Sequence, residues 1–149
     1  MALTVDNIRE YAKDKAELNI LLDNTEQSSD VIIQTAMELT IPLYDVIQPI
    51  SKTTLETFPN DYLLLLGTLY HLCNTEAERQ LRNHANYNAQ GLNAGIDDKS
   101  QMYQQLASMY LTQFTSMSQA LKQSLNIADA WGSAPSPYTA LHTWRFRTD

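Results

Sequence analysis

The stretch from Asp98 to Ala128, DKSQMYQQLASMYLTQFTSMSQALKQSLNIA, decides the fold. Met102, Leu106, Tyr110, Phe114, Met117, Leu121, Leu125 and Ala128 recur in steps of three or four. That spacing averages about 3.7 residues, which is the period of an α-helix and not of a strand. The stretch contains neither glycine nor proline, so a single long helix is expected, about 46 Å from end to end. Asp97 and Asp98 stand at its start, where negative charge suits the helix dipole. Its other side reads Gln101, Gln104, Gln105, Ser108, Thr112, Thr115, Ser116, Gln119 and Gln123, and Lys122 is the one charge between Ser100 and Ala128. Solvated helix faces usually carry Glu and Lys. A neutral polar face suits either water or a covering neighbour, because no ion has to be desolvated.

Three further helices read outward from this one. Asp61 to Asn86 opens on Asn60 or Asp61 as cap and carries Leu63 to Leu66, four leucines in a row. A helix that is apolar all round is buried on every side. Gly67 follows and permits the close approach of a neighbour. The Glu76 to His84 half is charged and is expected to emerge from the core, with Glu78 and Arg82 at i,i+4 spacing. An earlier helix starts after Ser29, with Asp30 in its first turn and an apolar face of Val31, Ile32, Ala36, Met37 and Leu39. Pro42 either ends it near Thr40 or kinks it, with continuation through Tyr44, Val46 and Ile47 to Pro49. The first helix spans Val5 to Lys13, with Thr4 as N-cap and Val5, Ile8 and Tyr11 or Ala12 as its stripe. Ala16 to Leu22 adds a turn or stays irregular, Asn24 to Ser28 is a loop, and Thr53 to Pro59 is expected to be partly extended. Tyr87 to Ile96 is a loop that turns at Gly91 and Gly95. The fold class is therefore all-α, a bundle of about four helices with a long C-terminal helix and an extended C-terminal arm.

That arm begins at a break. Trp131-Gly132-Ser133-Ala134-Pro135-Ser136-Pro137-Tyr138 cannot continue a helix, and Thr143-Trp144-Arg145-Phe146-Arg147 closes the chain with large aromatics. Both tryptophans lie in the last 19 residues. Disordered tails are poor in such residues, so an arm that becomes ordered on a partner is expected. The chain divides into a helical body, 1–131, and the arm, 132–149. In an extended strand Trp144 and Phe146 share one side and Arg145 and Arg147 the other. Strand addition to a partner's edge fits that alternation; binding of nucleic acid and local packing on the body stay open.

Composition narrows the function. At 149 residues the chain is one domain with room for a core, burying roughly 70% of its unfolded surface. Residues 1–61 hold 11 acids and 4 bases, a net of −7, and residues 62–149 hold 6 of each. An acidic N-terminal surface disfavours a grip on phosphate backbones. It serves as a solubilising face or as a surface that DNA passes without sticking. Cys73 is alone, which leaves no internal disulfide framework. The N-terminus does not read as a signal peptide, and the Tyr62–Cys73 cluster is too short to span a bilayer, so a soluble protein is expected. His71, His84 and His142 lack the spacing of zinc ligands. Asp14/Glu17 and Asp23/Glu26 have the i,i+3 spacing that all-α nucleotide hydrolases use for magnesium, without a matching pair on the leucine-rich helix. No phosphate-binding loop or nucleophile motif is present in the sequence. No cofactor and no catalytic residue are expected.

Several short segments carry a resemblance: Leu3-Thr4-Val5-Asp6 at a helix start, Phe58-Pro59 before the leucine-rich helix, and Ile96-Asp97-Asp98-Lys99 leading to a long helix with Tyr103 and Tyr110. Asn126-Ile127-Ala128-Asp129-Ala130-Trp131-Gly132 and Ser136-Pro137-Tyr138 complete the set. In their order and spacing the chain resembles the head–tail adaptor (head completion, connector) proteins of tailed bacteriophages. The resemblance covers the layout of nearly the whole chain, and its motifs are short. It implies a virion protein of the neck, assembled in the host cytoplasm, that forms a ring beneath the portal, dodecameric by family likeness. The ring extends the DNA channel and presents a platform to the stopper or tail-completion protein, without catalysis. Its C-terminal arm, carried over by position as Pro137, Tyr138, Trp144, Arg145, Phe146 and Arg147, would dock on the portal protein. Packaged DNA would pass through without specific binding, and no membrane is involved. Another neck or tail-completion role is the alternative within this class, and an all-α nucleotide hydrolase the alternative outside it.

Overall fold

The computed structural model of the chain describes residues 3–19, 24–85 and 99–131. Among them the architecture is all-α, with four helices and no strand: α1 Val5–Ala12, α2 Asp30–Asp45, α3 Asp61–Ala85 and α4 Lys99–Trp131. A single 3-10 turn, Ala16–Leu18, lies between α1 and α2. The arm, 132–149, and the opening acids Asp97 and Asp98 lie outside the described residues.

The helix starts follow their caps. Thr4 and Asn7 form a capping box: the Asn7 N–H donates to Thr4 Oγ1 (3.3 Å) and Asn7 Oδ1 accepts from the Thr4 N–H (3.2 Å). Ser29 Oγ accepts from the Ile32 N–H (3.4 Å) at the head of α2. Asn60, and not Asp61, caps α3, its Oδ1 accepting from the N–H groups of Tyr62 (2.8 Å) and Leu63 (3.2 Å). Pro42 does not stop α2, which continues to Asp45. Proline removes the bond to the carbonyl four residues back, here Glu38. Both Glu38 and Pro42 are exposed, so the defect lies on the solvent side of the helix. The 46–60 connector contains no strand; Leu55–Thr57 forms a turn, closed by reciprocal hydrogen bonds between Thr54 and Thr57.

α3 is the centre. It packs most extensively on α4, next on α2, and meets α1 near its start. Leu63 to Leu66 are all buried, 4% exposed or less. Leu64 and Leu65 join Ile8, Ile33, Met37 and Leu69 on the α1–α2 side. Leu63 and Leu66 join Tyr44 and Phe114 on the other. The charged half of α3 does not simply leave the core: Ala77 is buried, and so is Glu76, which accepts from Arg79 (3.0 Å) and Gln80 (2.6 Å). Glu78 accepts from Asn74 (3.1 Å).

The expected faces of α2 and α4 hold in part: Ala36 and Met37 on α2 and Phe114 on α4 are buried, and Tyr110 and Leu121 pack against the core. On α2 the buried residues are Ile33, Ala36, Met37, Thr40 and Tyr44, whereas Val31, Ile32 and Leu39 are exposed. On α4 they are Ser100, Ala107, Phe114, Ser118 and Lys122, whereas Met102, Leu106, Met117 and Leu125 are exposed. On α1 Ile8 is buried as expected and Tyr11 is exposed. The reason is the tightness of the helix crossings. A Cβ on Gly67 would overlap Thr40 Cγ2 and stand 2.9 Å from Thr40 Oγ1 and 3.1 Å from Phe114 Cε2. Gly67 leaves room there for Thr40 and Phe114, and Val31, Ile32 and Leu39 of α2 and Met102, Leu106 and Met117 of α4 lie away from that contact, on the exposed side.

Gly67→Ala should lower stability by about 1–3 kcal/mol through overpacking. Thr40→Ser removes the overlapping methyl, so the double variant should melt above Gly67→Ala alone. Additive losses in a double-mutant cycle would show that the two side chains do not meet.

Candidate interaction surfaces

Lys122 shows how α4 obtains its surface. The residue is 3% exposed and lies beneath α4 against the end of α2. Its ammonium donates to the carbonyls of Tyr44 (2.8 Å), Ile47 (2.6 Å) and Pro49 (3.0 Å), which matches its three protons. The same nitrogen sits 4.3 Å from the centre of the Tyr44 ring. These carbonyls belong to the last turn of α2 and the chain beyond it, where the helix dipole favours a cation. Burial lowers the Lys122 pKa, and Asp45 acts against that shift. Asp45 closes the other side of the connector, accepting from Ser51 Oγ (2.8 Å), Thr53 N–H (3.0 Å) and Thr53 Oγ1 (2.9 Å). Burial alone would raise the Asp45 pKa; those donors and Lys122 outweigh it, so the carboxyl titrates below its ordinary value.

With Lys122 turned inward, the outer surface of α4 from Ser100 to Ala128 carries no formal charge. Met102, Leu106, Met109, Met117 and Ile127 are exposed on it, Met102 at 63%. At 100° per residue these five fall within about one quadrant of the helix. The flanking hydroxyls are turned back onto the backbone: Thr112 to Ser108 O (2.8 Å), Thr115 to Leu111 O (2.9 Å) and Ser124 to Leu121 O (2.7 Å). α2 carries a second outward apolar strip, Val31, Ile32, Leu39 and Val46, with Val31 at 69% exposure and Val46 at 68%. These two strips are the exposed apolar surface that a neighbouring macromolecule would cover. Depletion of charge together with methionine is the composition of interface cores.

The acidic third of the chain is organised by a residue that the sequence reading passed over. Arg9 is 5% exposed; its Nη2 lies 2.5 Å from Asp30 and 3.0 Å from Glu26, and its Nη1 lies 3.6 Å from Asp14. Desolvation lowers its pKa, but those carboxylates reverse the sign and hold it above its ordinary value. Asp14, which stands at i,i+3 spacing from Glu17, accepts from the Gln27 N–H (2.6 Å), the Ser28 N–H (2.8 Å) and Asn19 Nδ2 (2.8 Å). Its oxygens are committed to closing the loop between α1 and α2. Asp23 lies outside the described residues, and Glu26 faces Arg9. Among the described residues no three His, Cys, Asp or Glu side chains are grouped to hold a metal ion. Cys73 is a free, half-buried thiol whose pKa is pushed up to about 11 by burial and by Glu76. His71 packs 4.8 Å from the Tyr70 ring, and burial lowers its pKa against a hydrogen bond with the Leu39 backbone. The expected arm residues Pro137, Tyr138, Trp144, Arg145, Phe146 and Arg147 lie outside the described residues, as does His142. Among the described residues no helix is long and apolar enough to cross a membrane.

Comparison with known protein families, with curated proteins and with solved structures gives no match.

Lys122→Met should lower stability by about 1.5–3 kcal/mol, because it leaves buried carbonyls without their charged donor. Retained stability in a urea melt would mean that the carbonyls find other donors. Asp45 should contribute stability above about pH 4, lost as the pH falls through its depressed folded-state pKa. Asp45→Asn should therefore show a shallower loss of stability on acidification than the parent, and equal slopes would remove Asp45 from the acid response.

Proposed function

We propose that this chain is a structural adaptor of the neck of a tailed bacteriophage, forming a ring beneath the portal and passing the DNA channel on to the stopper or tail. The observation that carries this reading is the outer surface of α4 from Ser100 to Ala128, uncharged because the one charge of that stretch, Lys122, is buried under it. A catalytic domain has no need for such a surface, whereas a subunit that lies beside its copies does. The separate apolar strip on α2 supplies a second face, as a head-to-tail ring requires, because each copy uses two different patches. The order of segments that resembles the adaptor family points the same way. On this reading the body packs against its neighbours through α2 and α4. Pro137, Tyr138, Trp144, Arg145, Phe146 and Arg147 reach the portal. The acidic surface of residues 1–61, if turned to the channel, repels the phosphates of passing DNA.

Met109→Glu combined with Met117→Glu alters two exposed side chains. It should leave the melting temperature unchanged while abolishing self-association in sedimentation velocity. The full chain should co-sediment with the portal protein encoded near its gene, and a chain ending at Trp131 should not. A folded full-length chain that neither assembles nor binds the portal would overturn the adaptor reading.

A further inference from the structure

A cleft of about 440 Å³ opens where the chain before α1, the 46–60 connector and the start of α3 meet. Its lining is apolar at the base, with Leu3, Met37, Phe58 and Leu64, and Leu55 stands exposed at its edge. Two acids, Glu56 and Asp61, belong to the same lining. Aromatic-sized apolar space beside carboxylates suits a segment that presents rings and cations together. This chain contains one, Trp144-Arg145-Phe146-Arg147. We propose that residues 144–147 dock in this cleft of their own body. A ring fills the apolar base, and an arginine stem folds over the rim so that its guanidinium group meets Glu56.

Reach and charge both favour this occupant. The last turns of α4 are already close, since Leu125, Asn126 and Asp129 share a neighbouring cleft with Pro59, the residue after Phe58. Twelve residues separate Trp131 from Trp144, a reach of up to about 45 Å when extended. A tethered segment is present at an effective concentration on the order of millimolar, which a free second copy does not match in dilute solution. The net charge of −7 on residues 1–61 attracts the arginines, while the rest of the chain is neutral. On the adaptor reading, on which this one clause rests, the cleft holds the arm until the portal competes for it.

Trp131→Phe leaves Trp144 as the sole tryptophan of the full-length chain, and its fluorescence reports the docking. Emission should be blue-shifted, and acrylamide quenching reduced severalfold, relative to a synthetic peptide of residues 140–149. Both effects should persist on dilution and weaken in high salt. Leu55→Asp, at an exposed position, should return Trp144 to peptide-like values with helicity unchanged, and Glu56→Lys should move it part of the way. Peptide-like emission from the parent would overturn the proposal. So would protection indifferent to Leu55→Asp, which places the arm elsewhere, or protection lost on dilution, which assigns it to a second copy. Protected Trp144 in a chain that fails to bind the portal would uphold the docking and remove only the adaptor reading.

Discussion

A helix that buries four consecutive leucines has no solvent side, and the rest of the structure is arranged to cover it. Leu63 to Leu66 point in four directions about α3, so cover is needed from every side at once. α2 and α4 supply most of it, and α1 and the Phe58 connector close the remainder. Each leucine contributes about 1.5–3 kcal/mol when fully buried, so a lost covering element exposes more than the marginal stability of a domain can spare. Gly67 belongs to the same constraint. It lets α2 and α4 close over the helix just beyond the leucines, with Thr40 and Phe114 against its backbone.

Close approach determines what faces outward. At Gly67 the close neighbours are Thr40 and Phe114, and the small residues Ala36, Thr68, Ala107 and Ser118 are buried as well. Buried hydroxyls are tolerated there because Thr40 and Thr68 donate to the carbonyls of Ala36 (2.9 Å) and Leu64 (2.7 Å) in their own helices. Ile33, Met37, Tyr44 and Phe114 fill the core beside them, while Val31, Ile32 and Leu39 on α2 and Met102, Leu106 and Met117 on α4 stand at the solvent side. Lys122 extends the same logic to charge. Its long stem carries the ammonium through the interface to the carbonyls that end α2, anchoring the connector from the opposite helix. One residue therefore fixes the end of α2 and takes the one charge between Ser100 and Ala128 off the outside of α4.

The four helices were legible because their signals are local: caps at Thr4, Ser29 and Asn60, a leucine run, and a long periodic stretch free of glycine and proline. The inward faces of α2 and α4 were not. Periodicity identifies a helix with an apolar stripe, but α4 carries Met102, Leu106 and Met117 on the outside and Ala107, Ser118 and Lys122 beside Phe114 on the inside, and pattern alone ranks the larger as core. The Gly67 signal pointed to a close contact without naming its partner, and the identity of that partner, Thr40, is what reverses the ranking on α2. Lys122 and Arg9 were missed for a related reason. A charged residue reads as surface unless its partners are known, and theirs lie 73 to 78 and up to 21 residues away in the chain. The candidate arm was legible as composition alone, since its residues lie outside those described.

An outward apolar surface can reflect either a partner or a weakly selected exterior, and the two leave different traces. A weakly selected exterior mixes charges with its apolar residues, because Lys and Glu are compatible with solvated helices and favour solubility. The outside of α4 has none over more than seven turns, while residues 1–61 of the same chain carry 15 charged side chains. The exclusion is thus regional and not a property of the whole composition. Hydroxyls that turn back to the helix backbone leave less polar surface for a neighbour to desolvate. Charge is concentrated in residues 1–61 and absent from Ser100 to Ala128 except at the buried Lys122, a division on which the proposed assembly role rests.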